Sequence, residues 1–499
     1  MISIVVTLLI GAFTAYSILW ALFQSTQDAN EPPPVDTSIP FVSAIVHAGW
    51  HGMNHWHRHQ YSQPLIRPII GLPIYTLRVP GFRLYVVNST ALIPIIQRRV
   101  KTISFSPIMV EMAARYMAVS KEAFKVISKN PMDDHGFIAG MSKTTHVDLS
   151  HGPQLDSLNE KTIQALSASL DRIAASKGIV YMKRWVDTEI MMATTEGIYG
   201  PMNPFQDSKV VEAWTTYEAG LLPLLVNILP SITARGSIRA RESLVRAYER
   251  YYIGGGHTHA SAFIKHRCEF YLERGIPFAD IARIEVGAAI GLISNSKPAA
   301  FWLLYHICSD PGVLNDCREE LANAVRADEL SNTYIIDMSY VKTSCPILLS
   351  TFKEVFRSHG TGVALRTVLE DEKLNDGQLL LKKGSLLLIP AAIQHTIPSG
   401  KRLNPVAFRG FGGGATLCPG RHFATTEILA FVSSVILRFD VRPSGGSWIR
   451  LPVKNSKPGL AVDQPDYDLQ VELIPRYDRS AKWSASFPGA EILKFEVRK

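Results

Sequence analysis

The chain has 499 residues, 46% of them hydrophobic and 19% charged, with a formal net charge of +8. This composition excludes a disordered protein and supplies ample core for a large globular domain. Lys and Arg are scattered, so no nucleic-acid partner is expected, while a basic face toward anionic lipid or an acidic protein stays open. Residues 2–23, ISIVVTLLIGAFTAYSILWALF, carry no charge and would span about 33 Å as a helix. No Lys or Arg precedes them, unlike the n-region of a cleaved signal peptide. Residues 1–24 are therefore predicted to be a transmembrane anchor. Pro32, Pro33, Pro34 and Pro40 then make residues 25–60 an extended, semi-rigid linker holding the body off the bilayer. It contains His51, His55, His57 and His59, read as a solvated or membrane-surface segment.

Residues 61–499 are predicted to form one domain. Strands are expected over 72–79 and 82–87 with a turn at Pro80-Gly81. From about 107 to 358 the periodicity is mostly helical, with amphipathic stretches at 158–177 and 236–252. A strand follows at 363–370, then a hairpin over 378–390 turning at Lys383-Gly384. A last helix starts near Pro419 and runs to about Arg438. The expected fold is mainly α with a minor β region.

The stretch FRGFGGGATLCPGRHFATTEI, 408–428, sets glycines before one of only five cysteines. None of the five forms a C-x-x-C pair, which argues against a disulfide scaffold and for a reducing compartment. Gly410, Gly412 and Ala415 fit a dinucleotide fingerprint, but no buried strand precedes them and no β-α-β unit follows. Cys418 and His422 at i and i+4 lack partners for a metal site. A third reading places Pro419 in the first turn of a helix and Cys418 at its N-cap, where the helix dipole favours thiolate. The glycines would let backbone approach a flat ligand. Such a thiolate suits the axial position of haem iron, where it pushes electron density toward O–O cleavage. A buried cysteine after an ordinary glycine turn is the plainer alternative.

The stretch resembles the haem-binding loop of the cytochrome P450 superfamily, F-x-x-G-x-R-x-C-x-G. Phe411, Gly414, Cys418 and Gly420 match, and Thr416 stands where Arg is usual. Gly414 to Arg421, G-A-T-L-C-P-G-R, is similar to the branch holding cholesterol 7α-hydroxylase, prostacyclin synthase and fungal enzymes of secondary metabolism. The resemblance implies that Cys418 ligates haem iron, with Phe411, Gly412 and Gly414 in the cofactor loop. It implies that Glu354 and Arg357 are the superfamily's E-x-x-R, locking the core so that haem is retained. It implies that Arg366 in ALRTVLED holds a haem propionate through its guanidinium fork. The oxygen-activating helix aligns to 290–307, near a kink set by Pro298. There Asn295 and Ser296 replace the usual acid and threonine, an amide–alcohol pair able to hydrogen-bond water.

By this resemblance the chain is a haem-thiolate monooxygenase that oxidises a lipophilic small molecule such as a sterol or terpenoid. No flavin or nicotinamide fingerprint is present, so a separate NADPH-dependent reductase supplies electrons. The implied location is the endoplasmic reticulum membrane with the catalytic domain cytosolic. Asn295 and Ser296 also admit a haem-thiolate isomerase or dehydratase that consumes a peroxide without reductase. The stretch from His395 to Phe411 lacks the superfamily's P-x-x-F-x-P-x-R segment and its arginine. An inactive, shortened product is the third expectation.

Overall fold

The computed structural model describes residues 2–35, 39–41, 71–79, 81–175, 178–328, 330–374, 377–395, 406–453, 460–478 and 481–487. The histidine-rich segment at 51–59 and most of the 25–60 linker lie outside these residues, as does 396–405. The backbone divides into two compact units, Met1–Met109 with Gly360–Leu417, and Val110–His359 with Cys418–Lys499.

The first unit is built on a five-stranded sheet. Strands β1 (Ile74–Val79) and β2 (Phe82–Val87) pair antiparallel, and Gly81 turns between them at φ +85°, as expected of that turn. Strands β3 (Ile103–Ser104), β4 (Val363–Val368) and β6 (Leu386–Pro390) complete it in the order β1-β2-β6-β4-β3, with β6 parallel to β2. Side chains alternate between two apolar clusters. Ile74, Tyr85, Val87, Leu387 and Ile389 pack on one face with helix α2 (Leu92–Arg98), while Tyr75, Leu77, Val79, Val86 and Leu388 pack on the other.

The expected 378–390 hairpin does not form. Strand β5 (Leu379–Leu381) pairs with Glu372–Leu374, and β6 inserts between β2 and β4. The turn itself is present, with Gly384 at φ +77°. Its backbone is captured by the end of β4, because Gly384 N–H donates to Val368 O at 2.8 Å and Val368 N–H to Ser385 O at 2.9 Å. That capture directs the chain away from β5.

Helix α1 covers Ile2–Thr26. Side chains are described for residues 6, 7 and 10–26 of it, and no helix among the described residues is long and apolar enough to cross a membrane. Arg78 of β1 donates to Thr26 at 2.8 Å and Gln27 at 2.9 Å, holding the end of α1. The described part of the proline segment that follows is no free spacer. Val35 N–H donates to Thr76 O and Thr76 N–H to Pro33 O, laying the segment along the β1 edge, where lost proline donors cost nothing.

The second unit is mainly helical. Helices α3 (Pro153–Ala174), α4 (Met182–Tyr199), α5 (Ser208–Ala219), α6 (Arg235–Ile253), α7 (Phe278–Ile293), α8 (Ser296–Ser309), α9 (Pro346–His359) and α10 (Arg421–Arg438) carry its core. The predicted amphipathic stretches are α3 and α6. Helix α8 packs on α4, α9 and α10, and residues 296–305 are buried without a break, Lys297 through its ion pair with Glu218. Two three-stranded sheets flank the helices.

Candidate functional site

The glycine loop closes the first unit. Gly412 has φ +77°, and a Cβ there would lie 2.9 Å from Thr416 O. Gly414 has φ +61°, and a Cβ would meet Gln97 at 2.9 Å. Both positions need glycine for the turn itself. A short 3-10 turn, Gly414–Thr416, follows. Phe411 and Leu417 are only half-buried.

Cys418 opens the last segment of the second unit and is half-buried. It is not the N-cap. Gly420 caps α10, and Cys418 and Pro419 precede it in a turn. Two residues upstream of that cap, the sulfur lies beside the Gly420 and Arg421 N–H groups, while Arg421 N–H donates to the Cys418 carbonyl at 3.4 Å. Burial pushes the thiol up from its ordinary value, and those two N–H groups with the Arg421 charge pull it back toward thiolate. His422 is engaged elsewhere, its ring 4.0 Å from that of His151.

In the first unit, Arg366 on β4 is buried, donating to Leu365 O at 2.7 Å and to the Thr416 hydroxyl. Burial, then the charge of Arg409, lowers its pKa to about 10. Arg409 is buried as well and its pKa is lowered by burial. Sequence reasoning passed over Arg409. Its signal was a lone cation beside an apolar, glycine-rich loop.

Helices α7 and α8 replace the single kinked helix expected over 290–307. The break falls at Ser294–Asn295, where Pro298, in the first turn of α8, has no N–H to offer the preceding turn. Asn295 Oδ1 accepts the Ala461 N–H at 2.8 Å. Ser296 is buried and faces the carboxyl of Glu427 on α10, which also accepts from the Thr194 hydroxyl. Burial raises the Glu427 pKa to about 8, against the pull of both hydroxyls. Glu427 was also missed, though one acid inside TTEILAFVSSVIL was the available clue.

Glu354 and Arg357 pair on α9 as expected, Arg357 Nε donating to both carboxylate oxygens at 2.8 Å. Their side chains are 56% and 34% exposed, so the pair alone is worth at most about 1 kcal/mol. A cavity of about 210 Å³ lined by Leu158, Lys161, Ala260 and His266 contains none of these residues.

The family model for cytochrome P450 matches residues 294–399 and 396–471. A cytochrome P450 monooxygenase, nodJ, of Hypoxylon pulicicidum is 34% identical over 517 residues, covering 97% of this chain and 96% of that protein. A cytochrome P450 monooxygenase of Gibberella zeae is 26% identical, covering 89% and 87%. The cholesterol 7-alpha-monooxygenase of Cricetulus griseus is 25% identical, covering 50% and 56%. Among solved structures, the retinoic acid-bound cyanobacterial CYP120A1 matches with a TM-score of 0.63 at 16% identity, covering 90% of this chain and all of that one, a likeness of fold.

Proposed function

The chain belongs to the cytochrome P450 family of haem-thiolate monooxygenases, and from that premise we propose that Cys418 would hold the haem iron and that the substrate is a lipophilic small molecule, a sterol, terpenoid or other secondary metabolite. The residues present fit the cofactor. The half-buried Cys418 thiol lies beside the Gly420 and Arg421 N–H groups, and the buried Arg366 and Arg409 guanidiniums form no ion pair among the described residues. Haem, when bound, supplies the activation of O₂ that inserts one oxygen atom into a C–H bond.

The protein's own residues divide the remaining work. The Gly420 and Arg421 N–H groups would favour the thiolate against the burial that raises its pKa. Phe411, Gly412 and Gly414 let the loop lie flat, and Arg366 anchors a propionate. Asn295 and Ser296 line the oxygen site, the Asn295 amide positioning water and the Ser296 hydroxyl passing a proton it shares with Glu427. Glu354 and Arg357 brace α9. Residues 1–24 attach the chain to a membrane, residues 25–60 connect it, and residues 61–499 carry the chemistry. Support for attachment is the exposed apolar set Val6, Ile10, Phe13, Ile18 and Leu22 on α1. The similarity to a cholesterol 7-alpha-monooxygenase supports the lipophilic substrate class. A separate NADPH reductase delivers electrons at the endoplasmic reticulum membrane.

The half-buried Cys418 thiol beside the first N–H groups of α10 carries this reading. Its test is the spectrum of reduced, CO-bound purified protein, then turnover with and without reductase and NADPH. A thiolate-type Soret band that Cys418→Ala abolishes, with NADPH- and O₂-dependent product, is expected. Product from a hydroperoxide alone would favour the isomerase, and no haem spectrum would favour the inactive chain.

A further inference from the structure

Two arginines in the first unit stand where proteins avoid unpaired charge. Arg366 and Arg409 are each 6% exposed. A guanidinium cannot discharge itself in a protein, so its burial demands an anion. Neither enters an ion pair among the described residues. Arg366 spends its fork on the Leu365 carbonyl and the Thr416 hydroxyl, both neutral acceptors. Arg409 Nη2 is buried with no hydrogen-bond partner. The two cations also lie close enough for Arg409 to depress the pKa of Arg366.

The backbone around Arg409 is fixed. Its N–H donates to His395 Nε2 at 2.9 Å, and its carbonyl accepts from Gly412 N–H at 3.0 Å. Gly413 leaves the space the guanidinium uses, since a Cβ there would lie 3.1 Å from Arg409 Nη1. Position 416, in the same loop, holds Thr where the family motif has Arg. We infer that Arg409 supplies the missing guanidinium, and that Arg409 and Arg366 together clamp the two carboxylates of the haem. Two buried cations matched to a dicarboxylate cancel the repulsion that neither residue relieves alone. This rests on the haem reading above and adds to it a residue that lies off the family motif.

The experiment separates the two. Full-length apo-protein, its fold checked by circular dichroism, is titrated with metal-free protoporphyrin IX and with its dimethyl ester, followed by porphyrin fluorescence. Iron is absent, so binding does not depend on Cys418. Arg409→Gln is expected to weaken the diacid about tenfold or more, one charge-assisted contact, and to leave the ester within about twofold. Arg409→Lys, with charge but no fork, should fall between. Equal weakening of both porphyrins, or of neither, overturns the inference. If wild-type protein binds neither porphyrin, the haem reading itself fails. If millimolar phosphate stabilises wild type but not Arg409→Gln while diacid binding is unchanged, the pair is an inorganic-anion site and the inference also falls.

Discussion

Gly412 and Gly445 are alike in composition and opposite in need. Gly412 sits at φ +77° with the Thr416 carbonyl 2.9 Å from any added Cβ, whereas nothing lies within 4 Å at Gly445. A left-handed non-glycine residue costs roughly 1–2 kcal/mol before any clash. Gly412→Ala should therefore lose about 2 kcal/mol or more in urea melts, and Gly445→Ala should stay within about 0.5 kcal/mol. Comparable losses at both would remove the conformational argument. Glu427 offers a second measurement. Unfolded, its carboxyl ionises near about 4.3; folded, it keeps its proton up to about 8. Between those values the folded state binds more protons, so the contribution to stability is full below the unfolded pKa and is lost as pH rises through the folded one. Glu427→Gln should show a smaller fall in Tm from about pH 6 to pH 8.5 than wild type. Identical falls would mean that the carboxyl is ionised in the fold.

Helix α8 shows how an element's boundary serves its residues. The α7–α8 break frees Asn295 from the regular helix, so that its side chain can accept the Ala461 N–H. Asn295→Ala leaves that donor without its acceptor and should cost about 1–3 kcal/mol, whereas Asn295→Asp keeps the acceptor and should cost less. Loss of turnover in Asn295→Asp at near-native Tm would assign the amide N–H₂ to the chemistry; equal stability loss in both variants would refute the hydrogen-bond argument. Helix α9 makes a contrasting case. Glu354→Ala removes a half-exposed pair, so Tm should barely move while haem content falls, if the family role applies. A drop in Tm with full haem occupancy would reverse that assignment. These elements also show what sequence conveys. Helices α3, α6 and α10 were legible because their periodicity is local. The parting of β5 from β6 was not, because the Val368 backbone captures the turn across a gap that no local pattern reports. The motif singled out Cys418, but its displacement from the predicted cap depended on Gly420 taking the N-cap of α10.

At the scale of the molecule, the mainly helical class could be read from composition and periodicity, but the division into units could not. The chain passes from one unit to the other at 109/110, 359/360 and 417/418, and the pairings responsible are remote, as in Leu84 against Leu386. Loop closure makes such contacts late and mutually dependent. A fragment ending at residue 359 therefore starves both units. The first loses β4, β5 and β6, leaving β2 without its parallel neighbour. The second loses α10, whose Phe423, Ile428, Leu429, Phe431, Val432, Val435 and Ile436 are all buried. Their burial contributes roughly 10 kcal/mol or more, against a total stability of about 5–15 kcal/mol. Fragment 1–359 should retain much of its far-UV helical signal, since α3 to α9 are all present, yet melt without a cooperative transition. A sharp melt near that of the intact chain would show that the helices preceding residue 360 form a core sufficient by itself, and that α10 adds cofactor binding without stability.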